Sequence, residues 1–231
     1  MSLALITGAS RGLGLAFARA LADRGWRLVV DAREPRALEA ARAELSRRTD
    51  VVAVAGDVSD PAHRDRLADA VRRLGKLDLL VNNASVLGPS PQPRLADYPL
   101  AELERVFRVN TLAPLALIQA LLPHLHPAAV VVNMTSDAAV EPYEGWGGYG
   151  SSKAALDQLT AILAAERADL RCYAFDPGDM RTRLHQEAFP GEDISDRPEP
   201  ETVVPALLRL LDEGRSSGRY RAGELYSGAP A

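Results

Sequence analysis

Two kinds of segment recur along this chain: short apolar runs, and longer stretches with an apolar position every three or four residues. Strands buried on both faces give short apolar runs, and amphipathic helices give the longer period. The alternation therefore predicts repeated strand–helix units. The predicted strands cover residues 3–7, 27–31, 51–54, 77–81, 130–134 and 171–175, with a weaker last strand near Tyr220.

Amphipathic stretches separate the predicted strands, and several begin with an acidic or serine residue before proline, as helix N-termini do. The predicted helices cover residues 12–24, 35–48, 61–74, 100–125, 150–168 and 200–213. Pro114 predicts a break or bend in the longest of them. The proline-rich segment 87–99 and the mixed-charge segment 179–200 fit neither pattern and are predicted loops.

This order predicts an α/β fold, a single-domain Rossmann-type doubly wound parallel sheet of about seven strands with helices on both faces. A chain of 231 residues can fill one such domain, and it shows no internal repeat or interdomain linker. Aliphatic residues are plentiful and aromatic residues make up 5%, which suits a helix-covered parallel sheet.

Charge and cysteine content narrow the function classes. The net charge of -4 gives no basic field, so we expect a small-molecule ligand and no nucleic acid. Cys172 is the only cysteine, which excludes an internal disulfide, fits a reducing compartment and reads as a packed, inert thiol. We find no signal peptide and no uninterrupted apolar run of membrane-spanning length, so we expect a cytoplasmic protein without a membrane partner.

A glycine-rich loop follows the first predicted strand and precedes the first predicted helix. Glycines in that place let the backbone turn sharply and approach a pyrophosphate, while the helix N-terminus offers free N–H groups. The alternative is a simple tight turn. The candidate cofactor-binding residues of the loop are Gly8, Ser10, Arg11, Gly12, Leu13 and Gly14.

The chain has only two lysines, and one of them, Lys153, stands four residues after Tyr149. On a helix these positions share a face, so the ammonium can lie beside the phenol. A compact ammonium fits there better than a planar guanidinium, and the pair suggests proton transfer. Taken alone, the pair is also compatible with chance on a solvated helix face.

The G-x-x-x-G-x-G loop and the Tyr149-x-x-x-Lys153 pair together resemble the short-chain dehydrogenase/reductase family, and the resemblance covers nearly the whole chain. Further matches follow in the family's order at separate loops. They are Gly56-Asp57-Val58, Asn82-Asn83-Ala84, Asn110, Ser136 and the segment from Pro177 to Thr182. The resemblance implies one domain over residues 1–231, with a dinucleotide-binding region over about 1–135 and a catalytic and substrate region over about 136–231.

By this resemblance, four residues carry the chemistry. Tyr149 would be the general acid in carbonyl reduction and the base in alcohol oxidation, with the nearby ammonium favouring its phenolate. Lys153 would also bind the nicotinamide ribose, and Ser136 would orient the carbonyl, unless it is only a strand-end turn hydroxyl. Asn110 would hold a water that links Lys153 to solvent, unless it is only a polar residue at a helix break.

The resemblance also assigns cofactor contacts. Asp57 would bind the adenine amine, unless it only caps the next helix, and Val58 would pack on the ring. Asn82 and Ala84 would hold the adenosine ribose side and the sheet edge, unless Asn82 is only structural, and Asn83 is a further cofactor-binding candidate. The nicotinamide side would be held by Pro177, Gly178, Met180 and Thr182. At Ser85 the chain departs from the family's usual glycine, which leaves the local geometry open.

Cofactor choice depends on the end of the second strand. Counting from Gly25 places Ala32 where the family's NAD users carry an acidic residue, and Arg33 follows it. Arg33 and Arg11 suit a 2′-phosphate. We therefore expect NADP(H), with NAD(H) possible, because a register shift of one residue would make Asp31 the ribose ligand.

The candidate substrate contacts are Trp146, unless it only packs in the core, Asp179 and His185. We expect residues 179–200 and the tail after Tyr220 to set the substrate. His63, His124 and His126 show no metal-ligand spacing, and no metal site is predicted. The leading hypothesis is an NADPH-dependent carbonyl reductase, and residues 142–146 resemble the corresponding stretch of sepiapterin reductases.

Two alternatives stay open: a 3-oxoacyl or secondary-metabolite ketoreductase, and a non-catalytic NADP(H)-binding sensor or scaffold. The resemblance also implies a homodimer or homotetramer that assembles through the helices at 100–125 and 150–168.

Overall fold

Short apolar segments form one all-parallel sheet in the computed structural model, which describes residues 1–226. The spatial order of the strands is β3-β2-β1-β4-β5-β6-β7. Their bounds are β1 Leu3–Ile6, β2 Arg27–Ala32, β3 Val51–Ala55, β4 Leu77–Asn82, β5 Leu125–Met134, β6 Arg171–Asp176 and β7 Gly218–Arg221. The prediction of a doubly wound parallel sheet is confirmed.

Helices cover both faces of this sheet. Their bounds are α1 Gly12–Asp23, α2 Pro35–Leu45, α3 Pro61–Leu74, α4 Leu100–Phe107, α5 Ala113–Leu121, α6 Gly147–Glu166, α7 Arg183–Ala188, α8 Val204–Glu213 and α9 Ala222–Tyr226. One core cluster joins α1, α2 and α8 to the sheet through Phe17, Leu38 and Leu207. A second joins α3 and α5 to the opposite face through Leu67 and Leu117. These two apolar layers supply most of the driving force for folding.

The strand order reverses direction beside β1, because the chain passes from β3 at one edge to β4 on the other side of β1. Loops leaving the carboxyl ends of β1 and β4 therefore diverge to opposite faces and leave a crevice between them. Open α/β sheets bind ligands at this position.

A buried polar chain connects β4, β5 and α6 just below that crevice. Asn82 is in register with Asn133, and its Nδ2 donates to Asn133 Oδ1 at 2.8 Å. Asn133 Nδ2 in turn donates to Thr160 Oγ1 at 2.8 Å. All three side chains are buried, so each amide needs its partner. Asn82 is therefore engaged in the core, which agrees with the structural alternative for this residue and not with a contact to the adenosine side.

The predicted helix at 100–125 is interrupted. Helix α4 ends at Phe107, a π-helical turn covers Arg108–Leu112, and α5 begins at Ala113. Pro114 lies just after the turn, where its missing N–H does not weaken the following helix. The interruption precedes the proline, and the turn carries Asn110.

Two boundaries differ from the prediction near the site. Strand β5 begins at Leu125, earlier than predicted, with an irregular register near Leu77 and with Ala128 at a φ of 64°. Helix α6 begins at Gly147, so Tyr149 lies in its first turn. Gly147, Gly148 and Gly150 weaken the local helix signal in sequence, which explains the late predicted start.

Leu100–His124 is long and apolar enough to cross a membrane by length and composition, with a mean hydropathy of 1.4 over 18 residues. Half of that window is buried inside the fold, as in a core helix of a soluble protein. Cys172 lies in the centre of β6, fully buried, and burial raises the pKa of its thiol to about 11. Such a thiol is a poor nucleophile.

Candidate active site

A cleft of about 670 Å³ opens at the carboxyl ends of the central strands. Its size is that of a small-molecule or cofactor site. Most of the predicted site residues line it. They are Gly8, Ser10, Arg11, Gly12, Leu13, Arg33, Asp57, Val58, Asn83, Ala84, Tyr149, Lys153, Pro177, Met180 and Thr182.

The glycine loop brings the N-terminus of α1 to the cleft. Arg11 is the N-cap residue of α1 and makes no side-chain cap, so no side chain of that residue covers the first helical N–H groups. Gly12 has a φ of 55°, and only the Thr182 Cγ2 atom lies within 4 Å of where its Cβ would stand. Free N–H groups beside open space form a cradle for an anion such as a pyrophosphate.

Gly8 and Gly14 serve the packing of the loop. Gly8 has a φ of 65°, and a Cβ there would lie 3.0 Å from Ala84 Cα. A Cβ on Gly14 would lie 2.5 Å from Asn83 Nδ2 and 2.6 Å from Gly8 O. Gly14 does not line the cleft. Its missing side chain makes room for Asn83, and its cofactor contact stays a prediction.

Asn83 fastens the glycine loop to the end of β4. Its Nδ2 donates to Thr7 O at 2.9 Å and to Gly8 O at 3.2 Å, and its N–H donates to Thr7 Oγ1 at 2.9 Å. Both amide hydrogens are therefore used inside the protein. Asn83 borders the cleft, but its side chain supports the loop that would bind a cofactor.

Asp31 and His63 form a buried pair behind the same loop. Asp31 Oδ1 accepts from the Gly8 N–H at 2.8 Å, and Oδ2 lies 2.9 Å from His63 Nε2. Arg66 Nη2 lies 3.2 Å from His63 Nδ1, which makes Nδ1 the acceptor and Nε2 the donor toward Asp31. Asp31 is 1% exposed. Both oxygens of Asp31 are thus already engaged inside the protein, which disfavours the alternative in which Asp31 binds a ribose.

Positive groups surround the outer end of the cleft. Ala32 ends β2 with a small apolar side chain, and Arg33 and Arg11 line the cleft with exposed guanidinium groups. Asp57 Oδ1 accepts from Ser59 N at 2.8 Å and from Ser59 Oγ at 2.7 Å.

Burial works against the charge of Asp57, but the Ser59 bonds and Arg33 leave the pKa of this carboxyl below its usual value. The capping residue of α3 is Asp60, so Asp57 is not the helix cap that the alternative reading required.

The first turn of α6 presents Tyr149, and one turn later it presents Lys153, both at the floor of the cleft. Tyr149 is 6% exposed and Lys153 is 2% exposed. Lys153 Nζ donates to Met134 O at 2.7 Å and lies 5.5 Å from the centre of the Tyr149 ring. The predicted juxtaposition of ammonium and phenol is present.

Burial decides the protonation of this pair. Desolvation lowers the pKa of Lys153 to about 8, opposed by the carboxylate of Asp157. Desolvation raises the pKa of Tyr149, aided by Asp176 and Asp137, while the hydroxyls of Ser85 and Ser136 oppose the rise. We expected the Lys153 ammonium to favour the phenolate form of Tyr149. In the protein without ligand, desolvation of the phenolate outweighs the ammonium, and the pKa of Tyr149 is raised.

Ser136 follows β5 and contacts the Tyr149 phenol. Its Oγ also donates to Asp137 Oδ1 at 2.9 Å and accepts from the Ala138 N–H at 3.2 Å. The Ser136 hydroxyl therefore caps a short turn after β5, as the structural alternative predicted. It also reaches the Tyr149 phenol, as the catalytic prediction requires.

Asn110 lies in the π-helical turn and is fully buried. Its Oδ1 accepts from Val86 N at 2.9 Å and Ser85 Oγ at 3.1 Å, and its Nδ2 donates to Val86 O at 2.9 Å and Ser152 Oγ at 3.0 Å. No hydrogen of the amide is left for a water. The predicted water-holding role does not fit the side chain, which ties the end of β4 to α6.

The segment after β6 closes the other end of the cleft. Pro177, Met180 and Thr182 line it, whereas Gly178 does not, and its N–H donates to Asp176 Oδ1 at 3.0 Å. The contact of Gly178 with a cofactor stays a prediction. Thr182 Oγ1 accepts from His185 N at 3.2 Å and caps α7.

Arg219 on β7 ties three segments of the site together, and sequence reasoning missed it. Its Nη2 donates to Asp176 Oδ2 at 2.9 Å and to Ser136 O at 3.0 Å, and its Nε donates to Asp157 Oδ2 at 3.1 Å. Asp157 stands one turn after Lys153. No local spacing links these positions, so the sequence alone gives little signal for the cluster.

An aromatic group borders Tyr149 on the side away from the glycine loop. The Trp146 ring packs edge-on against Tyr149 and Tyr143, at centroid distances of 5.8 Å and 6.3 Å, and lies 6.0 Å from Phe189. His185 lies 4.9 Å from Phe189. The predicted position of Trp146 beside the tyrosine is thus observed.

All three substrate candidates, Trp146, Asp179 and His185, lie outside the lining of the cleft. His185 is 7% exposed, and its Nδ1 lies 3.7 Å from Asp179 Oδ1. Asp179 points to His185 and Arg197 rather than to the cleft wall. Their predicted substrate contacts are not supported by this arrangement. Of the tail after Tyr220, residues 227–231 lie outside the described residues.

Comparison with known proteins decides the family. A family model described as short chain dehydrogenase matches residues 2–193. The chain belongs to the short-chain dehydrogenase family. The expectation of an oxidoreductase from this family is thereby confirmed.

Relatives of this short-chain dehydrogenase include sepiapterin reductase from Mus musculus, which is 34% identical over 94% of this chain and 88% of the relative. The 3-oxoacyl-(acyl-carrier-protein) reductase of rhamnolipid biosynthesis from Pseudomonas aeruginosa is 38% identical over 71% of this chain and 66% of that protein.

Among solved structures, the alcohol dehydrogenase from Thermococcus sibiricus complexed with 5-hydroxy-NADP superposes with a TM-score of 0.86. It is 29% identical, over 96% of this chain and 95% of the other.

Proposed function

We propose that this short-chain dehydrogenase is an NADPH-dependent carbonyl reductase with Tyr149 as its general acid. The observation that carries the proposal is that Tyr149 and Lys153 line the same cleft as an uncapped helix N-terminus, with the Ser136 hydroxyl at the Tyr149 phenol. A proton donor and an anion cradle in one cleft suit hydride transfer from a bound dinucleotide.

The residues present fit such a cofactor. The N–H groups at the start of α1 would hold the pyrophosphate, Val58 would pack on the adenine, and Lys153 would bind the nicotinamide ribose. NADPH, when bound, supplies the hydride. Gly12 leaves open space beside the helix N-terminus, where a side chain would intrude.

The preference for NADPH over NADH is supported by Asp31, because both of its carboxylate oxygens already have hydrogen-bond partners in the protein. Its carboxylate is held by Gly8 and His63, and Ala32 follows it, so the end of β2 does not offer the ribose hydroxyls a free acidic side chain. Arg33 and Arg11 offer planar donors to a 2′-phosphate. The Thermococcus sibiricus relative, solved with 5-hydroxy-NADP, agrees with this preference.

The protein moves one proton in each turnover. In reduction, the Tyr149 phenol donates its proton to the developing alkoxide, while Ser136 turns its hydroxyl hydrogen from Asp137 Oδ1 to the same substrate oxygen. The buried Lys153 ammonium, fixed by Met134 O, stabilises the phenolate that results. Solvent then returns the proton. Because the pKa of Tyr149 is raised, the phenol is fully protonated at neutral pH and ready as an acid.

An aromatic or heterocyclic ketone is the substrate class that the aromatic side chains beside Tyr149 support best. Tyr143, Trp146 and Phe189 form a rigid aromatic group next to Tyr149, and flat rings pack well against such a surface. The similarity to sepiapterin reductase points the same way. The similarity to a 3-oxoacyl reductase makes a flexible acyl chain the competing substrate.

The deciding experiment is an assay of NADPH oxidation with a panel of aromatic, heterocyclic and 3-oxoacyl carbonyls, using wild type and Tyr149→Phe. We expect turnover by wild type, and at least a thousandfold loss in the variant with NADPH binding retained. Binding is followed by the change in NADPH fluorescence. A sensor or scaffold would bind NADPH equally in both proteins and turn over no carbonyl.

We also propose a cytoplasmic, homo-oligomeric enzyme. The buried free thiol of Cys172 suits a reducing compartment. Leu112 and Ile162, on the two helical segments expected to form the interface, are exposed at 55% and 43%. Light scattering of the purified protein tests the oligomeric state.

A further inference from the structure

Ser85 stands at the catalytic end of the cleft, in a place where the family usually has glycine. It follows β4 and lines the same cleft as Tyr149 and Lys153. Its hydroxyl donates to Asn110 Oδ1 at 3.1 Å and also contacts the Tyr149 phenol. The side chain therefore joins the reacting tyrosine to the buried Asn110.

Asn110 does not need the Ser85 hydroxyl. Its Oδ1 also accepts from the Val86 N–H at 2.9 Å, and its Nδ2 has both hydrogens donated elsewhere. Without the hydroxyl, every polar atom of the Asn110 amide would keep a partner. The Ser85 hydroxyl can therefore leave Asn110 without stranding a buried polar atom of that amide.

We propose that Ser85 is a positioning residue for the proton transfer of Tyr149, and that its hydroxyl changes partner during the reaction. While Tyr149 is protonated, Ser85 accepts from the phenol and donates to Asn110. When Tyr149 has given its proton to the substrate oxygen, Ser85 rotates and donates to the phenolate. Asn110 Oδ1 then keeps the Val86 N–H alone.

This inference rests on the proposed function, and the exchange balances without a further reactant. The proton that reaches the substrate comes from Tyr149, and the hydrogen of Ser85 never leaves its oxygen. The rotation needs only a swap of acceptors, from a neutral amide oxygen to an anionic one, and charged acceptors bind a donor more strongly.

The charged groups around Tyr149 determine how much a hydroxyl donor can stabilise its phenolate. Lys153 faces the ring, and Asp137 and Asp176 oppose the phenolate from the ends of β5 and β6. Ser136 is the other hydroxyl at the phenol. With two carboxylates nearby and burial added, a second hydroxyl donor stabilises the anion at the point where it is hardest to form.

The test is the pH profile of kcat/KM for alcohol oxidation at saturating NADP⁺, in wild type, Ser85→Ala and Ser85→Thr. Oxidation needs the phenolate, so its rate rises with pH through the pKa of Tyr149. Loss of a donor should move this rise upward by about one pH unit in Ser85→Ala, since a hydrogen bond to a charged group carries roughly that much. Ser85→Thr, which keeps a hydroxyl, should restore the wild-type profile.

Ser152→Ala is the matched control. It removes the other side-chain partner of Asn110 without removing a hydroxyl from the phenol. If Ser85 acted only by fixing Asn110, both alanine variants would move the profile alike. The proposal expects a shift in Ser85→Ala alone, with the NADPH dissociation constant and the melting temperature unchanged in that variant.

Three results would overturn the proposal: an unshifted profile in Ser85→Ala, an equal shift in Ser152→Ala, or no rescue by Ser85→Thr in a folded protein. Each would leave the reductase assignment intact if wild type turns over. Absence of turnover by wild type on every carbonyl would instead reject the proposed function, and this proposal with it.

Discussion

His63 Nε2 lies 2.9 Å from Asp31 Oδ2, and neither side chain is more than 1% exposed. The pair stands behind the glycine loop, because the other oxygen of Asp31 accepts the Gly8 N–H. A histidine from the start of α3 thus fixes, through one carboxylate, the backbone that would bind the cofactor's phosphates. Burial raises the pKa of Asp31 despite these bonds, so the carboxylate depends on both partners.

His63→Ala should destabilise the protein and weaken NADPH binding together. The substitution leaves the buried Asp31 carboxylate with one partner, which costs about 2–3 kcal/mol of unfolding free energy. It also weakens the support that Asp31 gives to the Gly8 N–H in the glycine loop. Urea denaturation and NADPH fluorescence titration measure the two effects. The exposed His126, which bonds only to Pro127 O, gives the matched control His126→Ala, in which neither quantity should move. A stable His63→Ala protein with normal NADPH affinity would contradict this role.

Arg33→Ala should weaken NADPH binding about tenfold to a hundredfold and leave NADH binding nearly unchanged, because a charge-assisted bond to the 2′-phosphate is lost. Arg36, three residues further along on the exposed surface of α2 and outside the cleft, provides the control Arg36→Ala. Dissociation constants for both cofactors in the three proteins decide the matter. An equal loss for NADPH and NADH would remove the 2′-phosphate explanation.

Trp146→Leu should lower kcat/KM for aromatic ketones about tenfold while changing kcat/KM for small aliphatic ketones little. The substitution removes the ring contacts with Tyr143 and Phe189 but keeps an apolar side chain, and such ring contacts contribute about 1 kcal/mol beyond burial. Kinetics with matched aromatic and aliphatic ketones measures the selectivity. A parallel loss for both classes would indicate that Trp146 only supports Tyr149.

The buried Lys153 should make stability depend on pH in a defined window. Its pKa is lowered to about 8 from 10.5, so the folded protein disfavours the charged form. The stability that its deprotonation contributes is present above pH 10.5 and is lost as the pH falls to about 8. Between pH 7 and pH 10, wild type should therefore gain on the order of 2 kcal/mol of unfolding free energy relative to Lys153→Met.

Urea denaturation of both proteins at the two pH values measures that difference, since titrating groups that the proteins share cancel. The upper pH stays at 10 because the raised pKa of Tyr149 adds an opposing effect at higher pH. A constant difference between wild type and Lys153→Met across the window would mean that the ammonium is not disfavoured by burial.

Arg219→Met should reduce the free energy of unfolding by about 2–3 kcal/mol, since Asp176 and Asp157 lose the cation between them. The bond to Ser136 O is lost as well, so kcat should fall even in protein that remains folded. Arg72→Met, which breaks an exposed pair with Asp69, should change stability by less than about 0.5 kcal/mol. Equal changes of the unfolding free energy and of kcat in Arg219→Met and Arg72→Met would contradict a role of Arg219 in positioning Ser136.

Much of the fold could be predicted because its signals are local. The alternation of apolar runs and amphipathic stretches placed the strands to within a few residues, apart from the start of β5. The glycine loop and the spacing from Tyr149 to Lys153 likewise lie within single elements, and both reach the cleft.

What could not be predicted depends on partners far apart in the chain. Asn83 is bonded to Thr7, and His63 to Asp31, across gaps that no periodicity covers. Asn110 carries the family's pattern, yet its amide hydrogens are used by Val86 and Ser152. A sequence motif gives residue type and order. Whether a polar atom faces a ligand or a neighbour is decided by packing.

The chain of amides from Asn82 through Asn133 to Thr160 has a consequence for how this enzyme can change. A slip of β4 against β5 by one residue would turn both amides to the wrong face and leave them without partners. The spacing between the loops that carry Ser85 and Ser136 is thereby fixed before any ligand arrives. Substitutions in the segment around α7 can then alter the substrate range while the proton-transfer groups keep their mutual distances.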